Sequence, residues 1–487
     1  MIFKIVIVCS VLTLFTISII NAYPNGWSDD ILLTPEDNRM RDLPDIAIDN
    51  YNNVWVVWDS ADFMSGAGEI LFTKLDSFGA CIIPETNVSN NASFSITPEI
   101  AVDLSNNIHF VWRDDTPLGH GLWHAKLAND GSILVAPHIA VSGTDGETNR
   151  VYTTMNRFNE MDIVWDEFIS GYNQLNYTKL DSLGNPLILK NVVSPNNVNA
   201  RWPGIGTDSM ANNHIAYSSS DSSAVGRLAY IKLDRSGNTV INTKHFGYGE
   251  GVTLMADCNQ NIHIIYGSEG EPTWSVKYLK INQSGNVLIG PKVLDLRHAG
   301  LIHFTLDSLQ FLHVIWPFLT TLDSFGIMYT KIDTLSNFVI SPMPIIYPPY
   351  ADMPYNNRIA VDNNNKLHVI WRDQRLGVYD IYYKRGENDQ EINEQNYQCI
   401  DRYFQLSIYP NPAVNCCNIS FATQTTNNIK IDLYDVLGCK IVSIENRTYT
   451  PGTYLMPFDA CDIPSGVYFI VMKNDNETVC RKIVLRK

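Results

Sequence analysis

Past residue 22 the chain has no apolar run long enough to cross a bilayer, no Cys-x-x-Cys pair and no His/Cys spacing that suits zinc. Its Asn- and Asp-rich turns lack the ordered carboxylates of a calcium loop. Later membrane helices and the common metal sites are thereby excluded, and no metal or cofactor is expected. Charge is sparse too: only 18% of the 487 residues are charged, and 51 acidic against 35 basic residues give a formal net charge of -16. A field of that sign repels phosphate backbones and anionic lipid, so nucleic acid is not an expected partner. What the chain does have is apolar bulk, 45% of its residues, more than one ordinary domain core would hold.

The opening stretch, "MIFKIVIVCSVLTLFTISIINA", has a positive start at Lys4, an apolar run and a small-residue exit at Asn21-Ala22. This pattern predicts a signal peptide over residues 1–22, removed on export. The run approaches the roughly 20 residues of a membrane anchor, but no basic stop-transfer cluster follows it. Cysteines are unevenly placed. Cys9 lies in the leader, Cys81 and Cys258 stand alone, and Cys399, Cys416, Cys417, Cys439, Cys461 and Cys480 crowd the C-terminal end. Export permits disulfides there, and adjacent Cys416 and Cys417 point to opposite faces if they lie on a strand.

"NIHFVWRDD" at 107–115 returns as "LHVIWRD" at 367–373, and related stretches end in Trp58, Trp112, Trp165, Tyr217, Tyr266, Trp316 and Trp371. A period near fifty residues marks a repeat architecture. Each unit reads as a first strand ("PDIAID", "PEIAVD", "NRIAVD"), an Asx-rich turn, an apolar second strand, a third strand carrying Lys, and a fourth strand after turns such as "DSLGN". Four antiparallel strands per unit describe a β-propeller blade. The seventh unit lacks a fourth strand, and the solitary "DILLTPED" at 30–37 resembles one. The expectation is therefore all-β: a seven-bladed propeller over 23–385, with strand 30–37 closing the last blade.

Repeated positions predict structure before chemistry. His109, His214, His263, His313 and His368 stand three residues before the aromatic, with Trp55 and Asp162 in the other two units. Equivalent side chains on sheets about 10 Å apart cannot meet at one ion, so structural roles are expected. The third-strand lysines Lys74, Lys126, Lys179, Lys232, Lys280, Lys331 and Lys384 are expected at solvated or edge positions that discourage aggregation. Residues just after the second strands vary instead, and share one face with the loops from fourth to first strands. Asp59, Arg113, Asp114, Asp166, Arg201, Trp202, Arg372 and Asp373 are the ligand-binding candidates on that face. Trp202 could stack on a sugar and the arginines could hold carboxylates, although Arg-Asp pairs are also what any propeller rim needs. Sialidases resemble the chain in blade count range and arginine-rich loops, but their S-x-D-x-G-x-T-W box is missing. With no catalytic residue standing out, binding of a glycan, peptide or protein is the expected role, with a hydrolase or lyase acting on carbohydrate as the alternative.

A polar linker occupies 386–403, and short alternating strands follow over 404–487, as in a small Ig-like sandwich. Here "YPNPAVN" (409–415), "IDLYDVLGCK" (431–440), "GTY" (452–454), "DIPSGVYFI" (462–470) and "RKIVLRK" (481–487) resemble, in order and spacing, the type A C-terminal sorting domain of type IX (Por) secretion cargo. The matching positions are Tyr409, Pro410, Asn411, Pro412, Leu433, Tyr434, Gly438, Gly452, Tyr454, Gly466, Tyr468, Lys482 and Leu485. Cys439 departs from the family, which commonly has Lys or another polar residue there. The resemblance implies the type IX machinery as partner and a passenger released or held at the outer cell surface. A monomer with no transmembrane span after leader removal is expected.

Overall fold

The computed structural model describes residues 26–387 and 404–486, except 36, 38, 63–66, 92, 117–118, 144–147, 221–225, 269–273, 298–299, 320–324, 351–355, 415, 424–425, 436–439, 451 and 475–477. The expected leader, most of the linker, Gly438, Cys399 and Cys439 lie outside these residues. The chain divides into two compact units, Met1–Ile392 and Asn393–Lys487, and every regular element described is a β-strand.

The first unit consists of five four-stranded sheets and one of eight strands. The eight-stranded sheet is two four-stranded halves, from Asp42–Ile48 to Cys81–Asn87 and from Phe94–Val102 to Ile133–Ser142, joined by one parallel pair, Gly68 with Phe94. A Cβ at Gly68 would lie 2.9 Å from the Ser95 carbonyl oxygen, so glycine permits the halves to meet. In the sheet of Arg358–Val361, Leu367–Asp373 and Asp380–Gly386, the fourth strand is Ile31–Leu32, which pairs with Tyr383 and Tyr382. Asp30 anchors this strand through Lys384 (2.9 Å) and Arg375 (2.8 Å).

The second strands are buried on both faces because neighbouring sheets pack against each other, which is why they read as unbroken apolar runs. Trp58, Trp112, Trp165, Tyr217, Tyr266, Trp316 and Trp371 are all buried. One apolar cluster joins Ile46, Val56 and Trp58 of the first sheet to Ile370, Ile381 and Tyr383 of the sheet closed by the N-terminal strand.

The Asx-rich turns follow one design. An Asp or Asn at the end of the first strand accepts backbone N–H groups through its side chain, as Asp49 does from Tyr51 and Asn53 (both 2.9 Å). The residue three positions on takes the left-handed conformation in every turn: Asn52, Asn106, Asn159, Ala211, Gln260, Gln310 and Asn365. Its side-chain oxygen also clasps the preceding turn. Asn106, Asn159, Gln260, Gln310, Asn365 and Asn52 accept from the backbone N–H of Asn50 (2.7 Å), Leu104 (2.8 Å), Ser209 (2.8 Å), Cys258 (2.8 Å), Ser308 (3.3 Å) and Asn363 (2.9 Å). Ala211 has no side-chain oxygen to offer the turn before it.

The five histidines are core elements. Nε2 of His214, His263 and His313 faces Asp208, Asp257 and Asp307 at 3.1–3.2 Å, and Nδ1 faces the hydroxyls of Tyr230, Tyr278 and Tyr329 at 2.7–2.9 Å. His368 is placed likewise between Asp362 and Tyr383, whereas His109 bonds Asp103 and His124. Burial lowers the pKa of all five, which favours neutral rings.

The lysine expectation is overturned: all seven third-strand lysines are buried. Lys126, for example, pairs with Asp103 (2.8 Å) and donates to the Ser182 carbonyl of the next sheet (3.1 Å), and Lys280 does the same with Asp257 (3.2 Å) and Thr334 (3.2 Å). Each reaches out of its strand because a long apolar stem can bury itself while its charge finds a carboxylate.

The second unit is one seven-stranded sheet, in the order Lys440–Tyr449, Asn427–Tyr434, Gly466–Lys473, Thr478–Arg486, Phe404–Val414, Cys416–Thr423, Gly452–Asp459. All seven strands contribute to one apolar cluster, including Leu406, Ile419, Ile431, Tyr449, Phe458, Ile470 and Ile483. Cys416 is exposed and Cys417 buried, the alternation a strand imposes.

Candidate functional site

The first strands of the repeats line one cavity of about 550 Å³. Four residues before each turn Asp or Asn, the equivalent positions hold Asp45, Glu99, Tyr152, Gly204, Thr253, His303 and Arg358, each paired with the residue preceding the buried aromatic. All seven line the cavity. Two residues closer to the turn, Ala47, Thr154, Gly206, Met255, Thr305 and Ala360 line it with small or apolar surface.

Arg358 links the carboxyls: Nε donates to Asp45 Oδ1 (3.3 Å) and Nη2 to Glu99 Oε1 (3.4 Å), while Asp45 Oδ2 accepts the Ile100 N–H (3.0 Å). Two buried carboxyls sharing one guanidinium cannot both ionise cheaply. Burial raises both pKa values against the pull of Arg358, and with the neighbouring Asp45 charge it pushes Glu99 up to about 8. Near neutrality Glu99 therefore keeps its proton, and Arg358 lies against both carboxyls. His303 is held well below the ordinary imidazole range by burial and by Arg358, and its Nδ1 accepts the Ile359 N–H (3.3 Å). Burial likewise raises the pKa of the Tyr152 hydroxyl.

A second polar layer lies beside this one. Asp42 accepts from Asn356 Nδ2 (2.6 Å) and from Arg372, and Asn356 accepts from Arg150. Asp59 accepts the Thr97 N–H at Oδ2 (3.0 Å), and burial together with the Asp42 charge pushes its pKa up to about 8. Leu43, Thr97, Trp202 and Asn356 take left-handed φ values of 49°, 55°, 50° and 60°. Register shifts accompany the first three. Such bulges re-aim side chains, and left-handed backbone at a β-branched residue such as Thr97 costs energy that surrounding bonds must hold.

The sequence candidates divide between this region and the sheets. Asp59 and Arg372 belong to the second layer, and Trp202 lines the cavity with 37% of its surface exposed. Arg201, next to it, donates from Nε (2.8 Å) and Nη2 (2.7 Å) to the Asn173 amide oxygen in the orientation that satisfies both groups. Arg113 is held by Asp115 (3.0 Å). Asp114 is buried and accepts from Asn91 (2.7 Å), Ser95 (2.7 Å) and Trp112 (3.3 Å). Asp373 is tied to Trp371 (3.2 Å) and Arg375 (2.9 Å). Asp166 is fully buried, where its charge acts on Tyr152. Arg113, Asp114, Asp166 and Asp373 do not line the cavity. Asp45, Glu99, Tyr152 and His303 escaped sequence reasoning because they sit in strands taken as core. The available signal was a charge at one fixed position in "PDIAID", "PEIAVD" and "NRIAVD", where an apolar residue would suffice for packing.

In the second unit, Leu433 and Leu485 lie in the core, Tyr468 donates its hydroxyl to the Pro464 carbonyl (3.0 Å) and Tyr454 to that of Thr450 (2.7 Å). Tyr409, Pro410, Asn411 and Pro412 fall within the strand Phe404–Val414.

No curated protein matches the chain. Similar solved structures include a polysaccharide lyase, an ulvan lyase, with 9% identity over 73% of this chain and 95% of that one, at a TM-score of 0.49. A sialidase of Streptococcus pneumoniae has 9% identity over 74% and 70%, at 0.43. A surface component of the type IX secretion system of Porphyromonas gingivalis has 11% identity over 90% and 68%, at 0.34. Likenesses at that level carry no argument about the cavity. The tail differs: residues 407–486 match the secretion system C-terminal sorting domain family, and this ending marks the chain as a protein sorted for export by the type IX secretion system.

Proposed function

We propose that residues 23–385 form a seven-bladed propeller that binds a saccharide in the cavity between its first strands, and that the chain works at the cell surface or in the medium. The leader 1–22 and the Ig-like sorting sandwich 404–487, joined by the linker 386–403, serve transport. Six turn-to-turn clasps, including that from Asn363 to Asn52, support ring closure. One observation carries the binding reading. Where the repeats are otherwise uniform, a single equivalent position holds seven different residues, most of them polar, all facing one cavity that Trp202 borders. Polar groups converging on a concavity with a partly exposed indole suit sugar hydroxyls and an apolar ring face. A glycan array probed with the exported protein should give specific binding, and Trp202→Ala should lower it at least tenfold with an unchanged melting temperature. Equal binding by the variant would remove the cavity as the site.

A protonated Glu99 with Asp45 as a second carboxyl on the same guanidinium favours a second reading, carbohydrate cleavage with Glu99 as general acid. Chromatography of the bound glycan after incubation tests it. Shortened products that vanish in Glu99→Gln support cleavage, and an intact glycan with the wild-type protein eliminates it.

A further inference from the structure

Exposed aromatic side chains are unevenly spread over the first unit. Among the described residues there are eight, and five of them, Phe168, Tyr172, Trp202, Tyr248 and Trp274, belong to three consecutive repeats. All five stand at one end of the sheets, where second strands turn into third strands and fourth strands lead to the next first strand. Trp202 borders the cavity at that end, and the other three exposed rings lie in turns at the opposite end.

Strand register places the five rings on one continuous surface. Asn173, which follows Tyr172 and pairs with Phe168, donates its N–H to the Asn199 side chain (3.0 Å), and its amide oxygen takes Arg201, the neighbour of Trp202. The hairpin of one repeat is thus fastened to the strand that carries the cavity's indole. In that strand's own sheet Ala200, Ser219, Arg227 and Tyr248 pair in one row, so Tyr248 lies three strand spacings, about 14 Å, from the inner strand. In the next repeat Gly267 pairs with both Glu250 and Val276, and Tyr248 and Trp274 each stand two residues before one of these partners.

The ground between Trp202 and Tyr248 is polar, formed by Ser219, Ser220 and the exposed Arg227. Single rings parted by hydroxyls and a guanidinium differ from the contiguous apolar centre of a protein interface. They suit a chain of sugars, whose apolar ring faces lie on aromatic rings while the hydroxyls between find hydrogen-bonding groups. We propose that the saccharide is a polymer: one segment occupies the cavity at Trp202, and the chain continues outward over Tyr248 and Trp274. This rests on the saccharide-binding reading and extends it from a ligand of cavity size to a chain of several sugars.

The test uses the exported protein on an array that carries each glycan backbone both as a disaccharide and as a hexasaccharide. For the backbone that binds, the hexasaccharide should bind about tenfold more tightly than the disaccharide, because each further ring adds contact without a second loss of translational freedom. Tyr248→Ala and Trp274→Ala should each bring the hexasaccharide towards the affinity of the disaccharide, Tyr248→Phe, which keeps the ring, should retain most of the difference, and Trp202→Ala should weaken both lengths. Equal binding of the two lengths by the wild-type protein, or a length preference that survives in both alanine variants, overturns the polymer assignment and leaves the cavity reading standing. No binding at either length for any backbone overturns both. A dimer in sedimentation velocity that Tyr248→Ala dissociates would give these rings to a second copy of the chain and also overturn the assignment. Both rings are exposed, so unchanged melting temperatures are expected, and if one variant fails to fold the other reads the same surface.

Discussion

At the scale of single residues, proton-holding acids govern the cavity. Glu99 and Asp59 have folded-state pKa values of about 8, above those of the unfolded chain. The folded state thus binds more protons than the unfolded one from about pH 4.5 to 8, so these groups make stability fall as pH rises through that window, by up to about 1.4 kcal/mol per pH unit for each group. Above pH 8 their contribution is flat at its lowest. Glu99→Gln should flatten part of this slope and, at pH 9, melt at a higher temperature than the wild-type protein. Differential scanning calorimetry from pH 5 to 9 checks it, and an unchanged slope would mean that Glu99 ionises normally. None of this was legible in the sequence. A lone Glu in "PEIAVD" does not reveal that Asp45 and Arg358, 54 positions before it and 259 after it, will sit against it.

At the scale of strands and turns, the repeat was plain in the sequence and its fastenings were not. The second strands, the Asx turns and the structural role of the histidines followed from spacing alone. The lysines were misjudged because a strand pattern tells which face a side chain leaves from, not that its stem can turn along the neighbouring sheet to reach a carboxylate. Lys280→Met should therefore cost about 2–4 kcal/mol, since Asp257 would stay buried without its cation. A solvated edge lysine would cost almost nothing, and urea unfolding separates the two. The turn clasps allow a gain as well. Ala211→Asn would give the turn at Arg157 the acceptor that its counterparts have, and Asn tolerates the left-handed conformation of that position better than Ala. An increase of about 0.5–1.5 kcal/mol in unfolding free energy is expected by the same assay.

For the whole molecule, the N-terminal strand and the C-terminal tail set the outcome. Asp30 holds two cations of the sheet that Ile31–Leu32 completes, one of them the fully buried Lys384. Asp30→Asn should lower stability by about 2–4 kcal/mol, far more than a change near a chain end ordinarily costs. Loss of residues 404–487 should leave the protein inside the outer membrane, with the remaining unit folded, and cell fractionation reads this directly. Normal export of the truncated chain would contradict the sorting role of the tail.

The sequence by itself determined the repeat, the strand and turn plan of each unit, and the export address. All of these are written in short-range patterns: a period of about fifty residues, alternation along strands, Asx turns and ordered motifs at the end of the chain. Only the tertiary structure decided the candidate site. Its members lie one per repeat, about fifty positions apart, and become neighbours when the first strands face one cavity. The charge of each group then depends on burial and on partners from other sheets. Glu99 is an ordinary charged residue in the sequence. In the folded chain it holds its proton near neutrality, because water has been exchanged for neighbours that local sequence cannot name.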